Sequence, residues 1–199
     1  MIKVETKELS TVRLQTEKEG VSMNTSKSKQ KSMMENFTGN NEWNTPLKYV
    51  DSVRQVLGSI DTDPATNLSA QKIVKAATYH TIEADGLNHE WNGRVFMNPP
   101  YSRGLIGKFT AKFVQELTAG NVSEGIVLVN AATDTSWFHL LHEHATAVCL
   151  TKGRIAFQPA EDESSRAKKN KGQVGSAFFY FGDNAAAFAN EFSQYGIVV

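Results

Sequence analysis

Arg94-Val95-Phe96-Met97-Asn98-Pro99-Pro100-Tyr101 is the stretch of this 199-residue chain that decides its fold. Residues 94–97 form a short, mainly apolar run that is typical of a buried strand. The two prolines that follow must end this strand, because proline has no N–H to donate to a strand ladder. A strand that runs into a rigid polar turn is typical of α/β sheets, whose ligands lie at the carboxyl ends of the strands. The stretch therefore predicts a central strand with a functional loop directly behind it.

Short apolar runs alternate with helical patterns on both sides of this stretch. Apolar residues recur at helical spacing in residues 47–57, 104–119 and 135–144, and around Phe188 and Phe192. Short runs bounded by turn residues predict strands at residues 59–63, 94–97, 125–129, 145–150 and 175–181. This order predicts an α/β fold with a doubly wound, mostly parallel sheet and helices on both faces.

The first predicted helix carries recognisable signals at both ends. Thr45 can cap its first turn, and Pro46 fits that turn because an N–H is not needed there. Gly58 follows the last apolar residue and is expected to end the helix.

The composition predicts one folded domain behind a flexible arm. Residues 1–36 are rich in Lys, Glu, Ser and Thr and have few aromatic residues, so they cannot bury enough surface to offset the entropy lost on ordering. Aromatic and apolar density rises at Phe37, and 40% of all residues are hydrophobic, which is enough for one sizeable core. We expect a flexible arm over residues 1–36 and a single domain over residues 37–199.

The charge and the cysteine content limit the possible binding partners of the protein and indicate its cellular compartment. Lys and Arg together number 21, as do Asp and Glu, so a polyanion would have to be held by a local basic face. The single cysteine, Cys149, excludes an internal disulfide and a cysteine-cluster metal site, and it indicates a reducing cytoplasm. No run of 18 apolar residues and no cleavable leader is seen, so we expect a soluble, unexported protein with no membrane partner.

Asn98-Pro99-Pro100-Tyr101 has the chemistry needed to activate an exocyclic amino group. Such an amine on a nucleobase is a weak nucleophile, because its lone pair is delocalised into the ring. The Asn98 side-chain oxygen can accept one of its hydrogens, and the Pro99 carbonyl can accept the other. This pair of acceptors would stabilise the positive charge that develops on the nitrogen. Tyr101 would supply an aromatic face for a base extruded from the duplex.

The same four residues have an alternative interpretation as a stiff turn with a surface aromatic, or as a polyproline ligand for an aromatic groove. An isolated match of this length does not decide between the interpretations. Its position behind a short apolar strand, with a second strand-end loop at Asp63-Pro64 upstream, favours the catalytic interpretation.

The chain resembles the phage-type family of Dam-like DNA adenine N6-methyltransferases. The resemblance covers about residues 40 to 185 and is carried by six segments in order: Trp43-Asn44-Thr45-Pro46, Asp61-Thr62-Asp63-Pro64-Ala65, Asp85-Gly86-Leu87 with Trp91, the Asn98 loop, Asp134-Thr135-Ser136-Trp137-Phe138, and Gly153-Arg154-Ile155-Ala156-Phe157. It implies a Rossmann-like S-adenosylmethionine-dependent methyltransferase fold, S-adenosylmethionine as the cofactor, and duplex DNA as the substrate.

The resemblance also implies roles for residues on the amino-terminal side of the loop. Thr45 and Pro46 would lie near the methionine part of the cofactor. Trp43 would either lie beside the cofactor or be a core aromatic at the edge of the domain. Asp63, Pro64 and Ala65 would form the first strand-end loop of the cofactor site. They are followed by Thr66-Asn67, where many relatives have a glycine-rich turn.

Further cofactor contacts are implied between this loop and the catalytic loop. Asp85 would pair with the adenine amine of the cofactor, Leu87 would pack nearby, and Asn98 belongs to both the cofactor set and the catalytic set. Glu83 is the candidate for contact with the ribose hydroxyls. Asp85-Gly86 also has the composition of a simple turn, and that alternative stays open.

Basic residues are concentrated in the segment over residues 164–172. Arg166, Lys168, Lys169 and Lys171 are the best candidates for a surface that contacts DNA phosphates, with Arg154 near its base. A solvated, flexible loop is the alternative interpretation of this segment.

Three functional hypotheses follow, and none of them involves a metal. The first is a DNA adenine N6-methyltransferase. The second is an amino-methyltransferase with another acceptor, such as cytosine N4, an RNA amine or a protein glutamine. The third is a non-catalytic DNA-binding relative that has lost the cofactor. His139, His142 and His144 lack the spacing of a metal site, and no cysteine accompanies them.

Overall fold

The structure, a computed structural model, describes residues 43–102, 104–159 and 174–199. The predicted arm over residues 1–36 lies outside the described residues, so it stays a prediction. The same holds for Arg166, Lys168, Lys169 and Lys171 of the basic segment.

Five α-helices and nine strands form within the described ranges. The helices are α1 (Leu47–Leu57), α2 (Leu68–Val74), α3 (Leu105–Thr118), α4 (Ser136–His144) and α5 (Ala185–Phe192). The strands are β1 (Trp43–Asn44), β2 (Thr62–Asp63), β3 (Thr78–Tyr79), β4 (Gly93–Met97), β5 (Val122–Asn130), β6 (Ala147–Thr151), β7 (Gln158–Pro159), β8 (Ser176–Phe181) and β9 (Gly196–Val198). None of the helices in these ranges has the length and apolar character needed to cross a lipid bilayer.

Seven of these strands form one sheet in the order β3-β2-β4-β5-β8-β6-β9. β2 pairs in parallel with both β3 and β4, and β4 pairs in parallel with β5. β8 runs antiparallel between β5 and β6, and β9 runs antiparallel along β6. Five of the seven strands therefore point in one direction, and β8 and β9 point in the other. The predicted mostly parallel sheet is confirmed.

Alternate residues of the central strands face opposite sides of the sheet, as the pleat requires. In β5, Ile126 and Leu128 belong to a buried cluster with residues of α1 and α5, which we call the α1/α5 core. Val127 and Val129 belong to a second cluster with residues of α3 and α4, which we call the α3/α4 core. Helices therefore cover both faces of the sheet. This explains why β5 is a continuous apolar run rather than an alternating one.

The chain leaves β2 and β4 in opposite directions across the sheet. From β2 it passes through α2 to β3 at one edge, and from β4 it passes through α3 to β5. Because β2 and β4 are neighbours, these connections diverge and open a crevice at the carboxyl ends of the two strands. The loops that begin at Pro64 and Asn98 flank this crevice.

Most predicted elements are confirmed with small shifts at their ends. β4, β6 and β8, and the helices α1, α3 and α4, begin and end within two residues of the predicted bounds, and α5 contains Phe188 and Phe192. β2 is shorter than expected and β5 is longer. The helix α2, the edge strands β3 and β9, and the two-stranded pairing of β1 with β7 were not predicted. They are two to seven residues long, too short for a periodic apolar pattern.

The expected capping role of Thr45 is wrong. Pro46 occupies the N-cap position of α1, and no side chain caps that helix. The Thr45 hydroxyl instead accepts a hydrogen bond from Asn98 Nδ2 at 3.4 Å. Gly58 ends the helix as predicted, with a φ of 76° that glycine adopts without strain.

Trp91 anchors the loop that connects β3 to β4. Its side chain is fully buried in the α3/α4 core, and its indole N–H donates a hydrogen bond of 2.8 Å to the Gly86 carbonyl. The Lys112 ammonium lies 5.3 Å from the centre of the ring. Since Gly86 begins a short 3₁₀ helix (Gly86–Asn88), this bond ties the loop to the core.

Trp91→Phe removes the N–H donor and leaves most of the aromatic surface in place. The Gly86 carbonyl would lose a buried partner and the smaller ring would leave a gap, so we expect the free energy of unfolding to fall by about 2 to 4 kcal/mol. Urea denaturation followed by circular dichroism measures this change. Trp137→Phe, in a half-buried tryptophan of α4, is the matched control and should cost less than about 1.5 kcal/mol. Equal losses in the two variants would contradict the role given to Trp91.

Candidate active site

A cavity of about 680 Å³ occupies the crevice between the ends of β2 and β4. Its size lies in the range of pockets that enclose small molecules. Ten of the residues singled out in the sequence lie in its wall: Trp43, Thr45, Asp63, Pro64, Ala65, Asp85, Asn98, Pro99, Pro100 and Tyr101. Three strand-end loops, after β2, β3 and β4, therefore converge on one space.

The Asn98 side chain is held between two hydroxyl groups. Its Nδ2 donates to Thr45 Oγ1 at 3.4 Å, and its Oδ1 lies 3.2 Å from the Tyr101 hydroxyl, which donates to it. In this arrangement the carboxamide oxygen lies on the Tyr101 side and the nitrogen on the Thr45 side. The neighbouring Pro99 is buried, and among the described residues no donor is paired with its carbonyl oxygen. The loop thus offers two acceptors that a ligand amine can use.

The Tyr101 ring lines the cavity while its hydroxyl points into the protein. The hydroxyl lies 3.3 Å from the Leu128 carbonyl, a second acceptor for its single hydrogen. Burial raises the pKa of the phenol well above its usual range, so the group stays neutral and can act as a donor. The ring also packs against the α3/α4 core. The aromatic wall of the cavity is therefore fixed by β5 rather than free to turn.

Asp63 is a buried carboxylate in the cavity wall, with only 3% of its surface exposed. Its Oδ2 accepts a hydrogen bond of 2.7 Å from Gln71 Nε2, and its Oδ1 accepts one of 3.3 Å from the Ala65 N–H. The Thr66 hydroxyl also hydrogen-bonds to Asp63, and all three donors are neutral. Burial raises the pKa of Asp63 to about 7, because these hydrogen bonds only partly offset the cost of removing the charge from water.

The Thr66-Asn67 turn is built from side chains instead of glycines. Asn67 Oδ1 accepts from the Ala70 N–H at 2.8 Å and so caps α2, while its Nδ2 donates to Asn44 Oδ1 at 3.1 Å. Asn44 in turn donates to Ser69 Oγ at 2.7 Å. These bonds link the loop after β2 to β1. In this chain, side-chain hydrogen bonds therefore hold the turn where many relatives have glycines.

Asp85-Gly86 forms a turn and also contributes to the cavity wall. Asp85 has a φ of 51°, and its carboxylate accepts from the Leu87 N–H at 3.2 Å and from Asn88 Nδ2 at 2.9 Å. A Cβ on Gly86 would lie only 1.9 Å from the Pro64 carbonyl oxygen, so glycine is required at this close approach. The turn is therefore confirmed, and the pairing of Asp85 with the cofactor stays a prediction.

Four of the positions singled out in the sequence lie in the described residues but do not line the cavity. Pro46 lies behind its wall at the start of α1, and Leu87 packs against the α3/α4 core. Arg154 is exposed between β6 and β7. Glu83 is exposed and is also absent from the cavity wall.

Other residues of the wall were not predicted. His80 follows β3, and its ring stacks on His89 with a centroid distance of 4.2 Å. Its Nε2 atom is buried without a hydrogen-bond partner in the described part of the chain. Asn130, at the end of β5, and Phe157, before β7, also line the cavity. No sequence signal brings these positions together, because they meet only through the order of the strands.

The described residues contain no group of three or more His, Cys, Asp or Glu side chains placed to hold a metal ion. The cavity wall is instead made of carboxamide, hydroxyl and carboxylate groups among prolines and aromatic rings. Such a wall is suited to an organic ligand that carries both a planar ring and polar groups.

Comparison with known protein families finds a match over most of the chain. A family model described as DNA N-6-adenine-methyltransferase (Dam) matches residues 31–188, which is most of the chain and includes every strand from β1 to β8. No individual curated protein matches the chain.

Asp63→Asn tests the protonation of the buried carboxyl in the free protein. Because the pKa of Asp63 is raised to about 7 in the folded state, the folded protein holds a proton there that the unfolded chain loses above about pH 4. The wild type should therefore lose stability relative to Asp63→Asn as pH rises from 5 to 7, by up to about 1.4 kcal/mol per pH unit. Above pH 8 the difference should be constant.

Urea denaturation of both proteins at pH 5, 6, 7 and 8 measures this difference. Comparing the two proteins at each pH cancels other groups that titrate, such as Glu116, whose pKa is lowered by hydrogen bonds from Lys112 and Asn121 that outweigh its burial. A difference that does not change between pH 5 and pH 7 would contradict the assignment.

Proposed function

The chain belongs to the Dam family of DNA N-6-adenine-methyltransferases, and from this premise we propose that it transfers a methyl group from S-adenosylmethionine to the exocyclic N6 amine of an adenine in duplex DNA. The observation that carries the proposal is the pair of acceptors at Asn98 and Pro99 in the wall of a ligand-sized cavity. The cavity lies at the divergence of β2 and β4, where doubly wound folds bind their ligands.

The residues present fit S-adenosylmethionine. The buried Asp63 carboxylate lacks a cationic partner among its hydrogen-bond donors, and the cofactor carries a sulfonium and an ammonium. The unpaired His80 Nε2 and the exposed Asp85 carboxylate lie in the same wall and supply polar groups for a nucleoside. The cofactor, when bound, would supply an electrophilic methyl on sulfur.

The acceptor pair would prepare the amine for attack. With one amino hydrogen on Asn98 Oδ1 and the other on the Pro99 carbonyl, the nitrogen lone pair turns out of conjugation with the base ring. The cofactor, when bound, would supply the methyl group that this nitrogen accepts, its sulfur would leave as a neutral thioether, and the nitrogen would then release one proton to solvent. Both oxygens stabilise the positive charge on nitrogen before that proton leaves, and they are already in place before the reaction.

The remaining loop residues would receive the base. The adenine N6 atom is out of reach inside a duplex, so the base has to be turned out into the cavity. The Tyr101 ring, fixed through its hydroxyl by β5, would stack on it, with Pro99 and Pro100 forming the rigid wall beside it. The chain has zero net charge, so the DNA would be held by local basic groups. Arg154 and the basic residues Arg166, Lys168, Lys169 and Lys171 remain our candidates for phosphate contacts.

Asn98→Ala tests the acceptor directly. It removes one of the two oxygens that would accept from the amine, and we expect kcat to fall by about 100-fold or more while the protein stays folded. Transfer of a tritiated methyl group to mixed-sequence duplex DNA, followed by digestion to nucleosides, measures both the rate and the product. N6-methyladenine should be the labelled nucleoside. Asn92→Ala, in an exposed asparagine just before β4, is the matched control and should retain its activity.

Three results would count against the proposal. Label on cytosine, RNA or protein would assign another acceptor to the same loop. Absence of S-adenosylmethionine binding would leave a non-catalytic DNA-binding protein. Equal rates for Asn98→Ala and the wild type would remove Asn98 from the mechanism.

Tyr101→Phe separates the ring from its hydroxyl. The ring that stacks on the base would remain, but Asn98 Oδ1 would lose its hydrogen bond from the hydroxyl. We expect kcat to fall by about tenfold, with KM for DNA changed by less than about twofold, because the lost contact orients a catalytic group rather than binding substrate. Steady-state kinetics on a duplex that the wild type methylates measure the two constants. A loss confined to KM would assign the hydroxyl to substrate binding instead.

A further inference from the structure

Asp63 has an environment that a buried carboxylate rarely has. Buried charges are normally paired with an opposite charge, because hydrogen bonds from neutral groups do not repay the loss of water. Asp63 is 3% exposed, and its donors are the Gln71 side chain, the Thr66 hydroxyl and the Ala65 N–H, all of them neutral. The missing partner is a cation, and the side that can admit one is the cavity that Asp63 lines.

Within residues 43–102, 104–159 and 174–199, the charged groups around Asp63 do not supply that cation. His80 lines the same cavity, but its ring stacks on His89, and burial followed by repulsion from His89 lowers its pKa, which favours the neutral form. Asp85 is exposed and carries the same sign of charge. Asp61, which directly precedes β2, is paired with Arg94 at 3.0 Å, so that arginine is already engaged. In α2, Gln71 is the residue that contacts Asp63, and the following Lys72 is exposed.

We infer that Asp63 selects the charge of the cavity's ligand: it carries a proton in the free protein at mildly acidic pH and gives that proton to solvent when a cationic cofactor enters. This inference depends on the proposed function only for the identity of the cofactor. The cation that faces Asp63 is either the sulfonium or the α-ammonium of S-adenosylmethionine. A neutral nucleoside has neither group and would leave the proton in place.

The coupling makes cofactor affinity depend on pH in a defined direction. Below about pH 7 the free protein must lose a proton before a cation can pair with Asp63, so affinity is reduced. The association constant should rise on the order of tenfold between pH 5.5 and pH 7 and then level off. Near pH 6 close to one proton should leave with each cofactor bound.

Isothermal titration calorimetry of the full-length protein tests the inference without relying on activity. Binding is measured at pH 6 in buffers of different ionisation enthalpy, with S-adenosylmethionine, S-adenosylhomocysteine and 5′-deoxy-5′-methylthioadenosine as ligands. We expect a heat that depends on the buffer for S-adenosylmethionine and one that does not for methylthioadenosine. Release with S-adenosylhomocysteine as well assigns the α-ammonium as the partner of Asp63. Release with S-adenosylmethionine alone assigns the sulfonium.

Variants identify the group that releases the proton. Asp63→Asn should bind S-adenosylmethionine with a buffer-independent heat and an affinity that does not change between pH 5.5 and pH 7. His80→Gln and Asp85→Asn change other titratable groups of the same cavity, and both should still release the proton. If the wild type releases no proton, or if Asp63→Asn releases as much as the wild type, the inference is overturned. In that case tight binding of S-adenosylmethionine with methylation of adenine would leave the proposed function intact, whereas absence of binding would remove both.

Discussion

When two neighbouring parallel strands have connections that leave in opposite directions, neither connection covers the space at the carboxyl ends of the strands. The rest of the structure depends on this constraint. β2 and β4 stand in this relation, with α2 carrying the chain one way and α3 the other. The prolines at positions 99 and 100 add to the effect, because they end β4 abruptly and keep the following backbone out of the sheet. The crevice is therefore a consequence of topology, and the loops around it are free to carry chemistry. Its position is secured by two cores, one on each face of the sheet.

The two walls of the crevice, formed by the loops after β4 and β2, differ in their polar groups. On the β4 side, Asn98 and Pro99 present oxygens, which suit a group that gains positive charge as it reacts. On the β2 side, Asp63 presents a carboxyl whose ionised form is costly unless a cation arrives. In the proposed reaction both walls would favour positive charge, one during methyl transfer and the other on cofactor binding. The β1 segment connects the two walls. The Thr45 hydroxyl contacts Asn98 on the β4 side, and the preceding Asn44 is hydrogen-bonded to the loop after β2.

The long, periodic elements and the position of the Asn98 loop behind β4 could be predicted from the sequence for physical reasons. β5 and α3 bury many apolar side chains, so their spacing is strongly constrained, and the tetrapeptide at Asn98 combines residue types with few structural alternatives. Short elements have no comparable apolar pattern in the sequence, because both residues of β3 are exposed and α2 has only seven residues. Thr45 was misassigned because a threonine before a proline fits a capping role locally, whereas its actual partner is 53 positions away in the chain. His80, Asn130 and Phe157 reach the cavity only through strand order, which no local pattern encodes.

The most direct test of this account is the position of the target amine between the two oxygens of the loop. A crystal structure of the protein with S-adenosylhomocysteine and a duplex that it methylates would give the distances from adenine N6 to Asn98 Oδ1 and to the Pro99 carbonyl oxygen. Both should be about 2.7 to 3.2 Å, with the base turned out of the helix and lying against Tyr101. An adenine still paired in the duplex, or an amine out of reach of both oxygens, would contradict the central claim.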